Sequence, residues 1–343
     1  MTPSAASSMV PPVPGRRCSA AVALAALAAL AAACGNGSSA PTFTIASQNI
    51  LLGAFCAPGT DGCRLEDRVA LFFDLVRAAG CPDVIALQES TPAIRAAVDS
   101  HLADACPTPF TAAPGRVGPN SVFSRWPILE VRRTRLFRGI RELLQVRLDH
   151  PIGAVDVFTT HLAATIDGGP DPCGDDCPAE CLAAGAATVR ECQAVQVAQL
   201  VAEAHDLPTP AFLTGDFNST PGSFVHRQMT DRGWIDAYRE AGNPECDPAT
   251  GRGCTCCGFD EGLDDLERPV LPVTERVDFV FLVPPRAPAT CVPRLTRPDA
   301  TRAVATGLLT AEPNPFAPRC GPRPDPICWA SDHIGVTAGL RCS

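Results

Sequence analysis

Apolar residues along the chain fall into two alternating kinds of segment. Short continuous runs at Phe43–Ile50, Asp83–Leu87, Ser121–Phe123, Glu142–Leu148, Val155–Thr160, Ala211–Leu213, Val277–Val283 and Ile334–Leu340 read as strands. Leu65 to Ala79 carries Leu65, Val69, Phe72, Phe73 and Val76 at near-helical spacing, and Gly80 with Pro82 stops it. Thr91–Ala105 and about Val189–Ala204 read as further helices. The alternation predicts a layered α and β domain. Asp167–Glu180 and Asn243–Pro272 break the rhythm: rich in Gly, Pro, Asp and Cys, they read as long loops. No internal repeat and no second domain is evident.

Polar groups cluster where these apolar runs end. Val84–Leu87 leads into Gln88 and Glu89, Val157–Thr160 into His161, and Phe212–Thr214 into Gly215, Asp216, Phe217 and Asn218. Buried strands that end in charged groups are costly unless those groups bind something. Each piece alone has an ordinary explanation: a solvated loop acid for Glu89, a turn for Gly215–Asn218, a packed histidine for His161, and a cap for Asp332-His333. Their joint occurrence in this order carries the signal.

Composition narrows the class. With 46% hydrophobic and 19% charged residues over 343 positions, the chain can bury a large core. Its net charge of -9 argues against tight, sequence-independent nucleic-acid binding through many Lys and Arg contacts, although a bound metal can supply local positive charge at a phosphate. Arg16 and Arg17 before the Ala/Leu run Ala20–Ala33 read as a targeting leader over 1–33, too short for a confident membrane span. Ala31-Ala32-Ala33-Cys34 resembles a bacterial lipobox, with its leucine one place early at Leu30. The expectation is a lipidated Cys34 and a tether over 34–41, with ordinary secretion as the alternative. The domain then spans 42–343, with Cys-rich insertions near 167–192 and 243–273. Of 18 cysteines, Cys18 and Cys34 fall in the leader and lipobox, leaving an even number for disulfides in an oxidising compartment. Zinc is the competing reading for Cys173, Cys177 and Cys181 and for Cys254, Cys256 and Cys257, but neither group has the two C-x2-C pairs of ordinary structural zinc sites or a neighbouring histidine.

The ordered motifs are Ser47-Gln48-Asn49, Leu87-Gln88-Glu89, Asn120-Ser121-Val122-Phe123-Ser124-Arg125, Thr159-Thr160-His161-Leu162, Gly215-Asp216-Phe217-Asn218-Ser219, Arg276-Val277-Asp278-Phe279-Val280 and Ser331-Asp332-His333-Ile334. Together they resemble the endonuclease/exonuclease/phosphatase superfamily over nearly the whole mature chain. The resemblance implies an α+β fold: a four-layer αββα sandwich of two packed mixed β-sheets flanked by helices, with the site at one edge. It implies Glu89 as principal ligand of Mg²⁺ or Mn²⁺, with Asn49 and Asp332 completing or supporting the metal environment. It further implies His161 on a non-bridging phosphate oxygen and Asp216 with Asn218 positioning the attacking water. His333, oriented by Asp278, is the other acid/base candidate. Asp216 and His333 both stay open as the general base.

The only tyrosine, Tyr238, lies too late in the chain for the role abasic-site endonucleases give theirs. Arg141 and Arg147 are candidate phosphate contacts, with surface salt bridges as the bland alternative. The expected activity is hydrolysis of a phosphodiester, nucleic acid ahead of phospholipid or sphingomyelin, by a monomer without an obligate protein partner. A catalytically silent binding module on the same fold is the reading from another class.

Overall fold

The computed structural model describes residues 41–53, 56, 61–117, 119–165, 168–257, 263–298 and 304–343. The leader, Cys34 and the tether up to residue 40 lie outside the described residues. Thirteen strands are described: β1 (Thr42–Asn49), β2 (Val84–Gln88), β3 (Thr111–Pro114), β4 (Ser121–Ser124), β5 (Ile128–Arg135), β6 (Glu142–His150), β7 (Gly153–His161), β8 (Ala211–Asp216), β9 (Ile235–Asp236), β10 (Asp278–Val283), β11 (Pro293–Leu295), β12 (Gly307–Leu308) and β13 (Val336–Cys342). The helices are α1 (Asp61–Ala78), α2 (Pro92–Ala105), α3 (Ala179–Ala183), α4 (Val189–Ala204), α5 (Phe224–Thr230), α6 (Ala237–Glu240) and α7 (Leu263–Leu266).

The strands form two mixed sheets. The first has the order β11-β13-β1-β2-β4-β3, with β12 also on β13; the second has the order β5-β6-β7-β8-β10-β9. In each sheet one central pair is parallel, β1 with β2 and β7 with β8, and the remaining pairs are antiparallel.

Why the apolar runs are continuous is now visible. In β2, Val84 and Ala86 face the core between the sheets, whereas Ile85 and Leu87 join Phe72, Val76, Ile94, Val98 and Leu102 of α1 and α2. In the second sheet, Phe212, Val280 and Leu282 meet Phe43 and Ile45 between the sheets, while Leu213, Phe279 and Phe281 pack on Val197 and Val201 of α4. Strands covered on both faces cannot alternate with polar residues. The layers are therefore helices, sheet, sheet, helices: the expected sandwich.

Five strands escaped the sequence reading: β3, β5 and the two- to three-residue strands β9, β11 and β12. β3 is a short edge strand, and β5 is an edge strand carrying Arg132, Arg133 and Arg135 with no fully buried position. Charged edges resist further pairing and erase the apolar signature. The helix at 189–204 lies where its periodicity put it, opened by Thr188 and Glu191 in a reciprocal capping box.

Disulfides staple the loops: Cys56–Cys63, Cys81–Cys106, Cys173–Cys177, Cys181–Cys192, Cys246–Cys254, Cys256–Cys257, Cys291–Cys342 and Cys320–Cys328. All cysteines beyond Cys34 are thus paired, and the clustered sulfurs of Cys173, Cys177 and Cys192 are not thiolates available to zinc. Among the described residues no helix is long and apolar enough to cross a membrane.

Candidate active site

The parallel strands of both sheets end on the same edge, and the polar groups that follow them converge there. β7, β8 and β10 place His161, Asp216 and Asp278 in register, with His161 opposite Asp216 and Asp216 opposite Asp278. The approach of β7 and β8 explains Gly215: its φ is 144°, and a Cβ there would collide with the carbonyl of Thr160. From the first sheet, β1 ends in Asn49, Glu89 follows β2 with φ of 61°, and Asp332-His333 precedes β13.

Asn49 joins the two halves. Its Nδ2 donates to Glu89 Oε1 and to Asp216 Oδ2, both at 3.1 Å, and lies 3.4 Å from His333 Nε2. His161 Nε2 is 3.4 Å from Asp216 Oδ2, and its Nδ1 is 4.0 Å from Glu89 Oε1. That Nδ1 is buried with no hydrogen-bond partner. Burial pushes the His161 pKa down to about 3, against the pull of Asp216 and with the help of Arg141, His333 and Arg190, so the ring is neutral. His333 is the opposite case. Burial disfavours its charge, but Asp278, Asp216 and Asp332 overcome this and raise its pKa well above the ordinary histidine value. Its Nδ1 is 2.9 Å from Asp278 Oδ2, which leaves Nε2 facing Asp216 Oδ2 at 3.8 Å. Asn218 donates its backbone N–H to Asp216 Oδ1 (2.8 Å), and its Nδ2 is held by Leu162 O (3.0 Å). Asn49, Glu89, His161, Asp216, Asn218, Asp278, Asp332 and His333 are therefore brought together at this edge.

A family model described as Endonuclease/Exonuclease/phosphatase family matches residues 46–333, the span holding all of these groups. The chain belongs to the endonuclease/exonuclease/phosphatase family. It is a phosphoesterase hydrolase of a family whose enzymes generally depend on a divalent metal. Among solved structures it is similar to a family protein from Bacteroides thetaiotaomicron (17% identity, TM-score 0.58, 89% of this chain and 99% of that one). It is also similar to humanized D. rerio TDP2 (17%, 0.55, 88% and 99%) and to D. rerio TDP2 complexed with single-strand DNA product (18%, 0.53, 88% and 99%). At these identities the likeness is one of fold. No curated protein sequence matches the chain.

The donor set of this family member suits a hard cation. Burial raises the Glu89 pKa and the charge of Asp332 raises it further, as two carboxylates held close together do. Glu89 Oε2 accepts from Leu52 N at 2.7 Å, and Asp332 Oδ1 lies 3.1 Å from Ser331 Oγ, whose one proton goes to Asn49 O at 2.6 Å. Asn49 Oδ1 accepts from Leu51 N (3.1 Å), so in this geometry the amide meets the carboxylates with its N–H groups. Asp216, Asp278 and His333 also bring ligand-type atoms within 4.8 Å of one another, but His333 Nδ1 is already committed to Asp278.

Sequence reasoning missed the residues that brace the family site. Arg68 is fully buried and donates to the carbonyls of Cys63 (2.8 Å), Ile50 (2.6 Å), Leu51 (3.1 Å) and Ala330 (3.2 Å), tying the loop after β1 to the segment before Asp332. Burial lowers its pKa to about 10, against the charges of Asp332 and Glu89. The signal was present: Arg68 lies three residues after Leu65 and four before Phe72, on the apolar face of α1. Arg190 binds the carbonyls of Ala163 (2.6 Å) and Asn218, joining the loops after β7 and β8. Arg147 is not a phosphate contact here, because it pairs with Asp156 and Asp206, both at 2.8 Å. Arg141 is buried at the start of the β6 segment and acts electrostatically on His161.

Proposed function

We propose that this enzyme hydrolyses phosphodiesters of nucleic acid by in-line attack of water, using Mg²⁺ or Mn²⁺ held by Glu89 and Asp332 with Asn49 beside them. The observation that carries the reading is the convergence of Glu89, His161, Asp216 and the Asp278–His333 pair around the Asn49 amide. When bound, the cation neutralises charge on the phosphate and draws electrons from phosphorus. His161 presents Nδ1, which has no protein partner, to a non-bridging phosphate oxygen. Asp216, held by Asn218 N and Asn49 Nδ2, accepts the proton of the attacking water. His333, kept protonated by Asp278, donates to the departing alkoxide. Arg141 and Arg190 add positive potential near the phosphate.

Nucleic acid is preferred to phospholipid because no exposed aromatic hairpin suited to a bilayer occurs among the described residues: Trp234 and Trp329 are buried, and Trp126 donates to Asp83 at 2.7 Å. The DNA product named for the TDP2 relative supports the same choice. Eight disulfides and the leader support export, with Cys34 as the membrane tether and a monomer as the working form. The test is a substrate panel with purified protein lacking residues 1–34. Plasmid nicking or RNA degradation in Mg²⁺ is expected. Cleavage of sphingomyelin or another phospholipid with DNA and RNA intact would reject the nuclease assignment, and inertness toward every phosphoester would revive the binding module.

A further inference from the structure

The Cys-rich insertion near 243–273 reaches into the active site at one point. Cys256, disulfide-bonded to its neighbour Cys257, places Sγ 3.3 Å from His333 Nε2. The segment is buried and stitched on both sides of the Asp278–His333 pair. Thr255 Oγ1 accepts from the backbone N–H of Val277 (3.1 Å) and Asp278 (3.2 Å). Thr255 O accepts from Ile334 N at 2.8 Å, and Cys256 exchanges backbone hydrogen bonds with Glu275. Asp278 therefore holds one nitrogen of the His333 ring while Cys256 sulfur closes the space beside the other.

We propose that the Cys256–Cys257 disulfide is a positioning element for His333. A disulfide between adjacent residues closes a small ring through their peptide bond, which removes side-chain rotation at Cys256 and leaves its sulfur in one place. A disulfide sulfur has no proton to lose and is only a weak acceptor, so it confines the imidazole and excludes water without competing for its proton. A free thiol there would be drawn toward thiolate by His333 and would pair with it. Position next to the reacting nitrogen distinguishes this cross-link from one that merely staples a loop.

The inference rests on the acid/base reading of His333, and the experiment separates the two. Wild type, Cys256→Ala/Cys257→Ala, His333→Ala and the combined variant are compared in kcat and KM on a nucleic-acid substrate, with thermal midpoints recorded. The expected result is a fall in kcat of about tenfold for the double-cysteine variant with KM little changed, and no additional fall when it is combined with His333→Ala, since groups acting through one residue are not additive. Ring resonances of ¹⁵N-labelled histidine supply a readout independent of turnover: His333 signals should broaden or shift in the double-cysteine variant and recover in wild type after reduction by a dithiol and reoxidation. If His333→Ala loses activity while the double-cysteine variant keeps full kcat and an unchanged His333 signal, the positioning role is overturned. If His333→Ala itself keeps full kcat, the acid/base reading falls and the inference with it. Should the alanine pair fail to fold, the serine pair is subjected to the same comparison.

Discussion

The two sheets furnish the active site by different means. The second sheet delivers His161, Asp216 and Asp278 as terminal residues of paired strands, so backbone ladders fix their mutual distances. The first delivers Glu89 and Asp332 from loops: Glu89 accepts from Leu52 N and Asn49 Nδ2, Asp332 lies beside Ser331 Oγ, and Arg68 braces the segments that carry them. Ser331 Oγ in turn donates to Asn49 O at 2.6 Å, and Gln48 Nε2 to His333 O at 2.9 Å, which stitches the loop before β13 to β1. In the proposed mechanism the groups that move protons need fixed geometry, and Asp216 sits on the ladder side. Ligands of a cation that keeps its own waters tolerate more give, and the proposed ones, Glu89 and Asp332, sit on the loop side. His333 is the exception that needs the most help: it comes from a loop, and Asp278 and Cys256 both hold its ring.

This contrast orders the expected losses. His333→Ala should reduce kcat by on the order of 10²-fold or more with little change in KM, measured in steady state on a nucleic-acid substrate. Glu89→Gln should act on the other half: the Mg²⁺ concentration for half-maximal activity rises by about 10- to 100-fold while the circular dichroism spectrum is unchanged. A large unfolding effect instead would make Glu89 a structural residue. Arg68→Met sharpens the comparison further, because it removes the brace and leaves four buried carbonyls without their donor. Denaturant unfolding should show a loss of about 2–4 kcal/mol, with a metal requirement raised by less than in Glu89→Gln.

The smallest effect lies away from the site, on the helix-covered side of the second sheet. Burial would raise the Asp156 pKa, but hydrogen bonds from His205 and Arg147 outweigh it and the net shift is downward. A folded pKa below the unfolded one means that this stabilisation is complete above the unfolded value of about 3.9 and disappears as pH falls through the folded value. Asp156→Asn should therefore lower stability at neutral pH and flatten the acid limb of a thermal-midpoint profile.

Much of this arrangement was legible because two kinds of constraint leave a mark in sequence. Strands covered on both faces must be apolar throughout, and a site at their ends must interrupt them with Glu89, His161 or Asp216. β3 and β5 left no such mark, being edge strands with little core contact. Arg68 looked like one more charged helix residue until its position on the apolar face was weighed. The connectivity of the cysteines, and with it the contact of Cys256 with His333, depends on chain proximity that spacing does not encode. Asn49 was expected near the metal, but which end of its amide faced the carboxylates needed the hydrogen bond from Leu51 to decide.

The central claim is that this edge of the sandwich is a divalent-metal-dependent phosphodiesterase site. It is tested most directly by following cleavage of a nucleic-acid substrate by the purified domain while metal is removed with excess chelator and then returned. Activity should vanish on chelation and reappear with Mg²⁺ or Mn²⁺ in wild type, with a much higher metal demand in Glu89→Gln. Undiminished cleavage in excess chelator would contradict the claim.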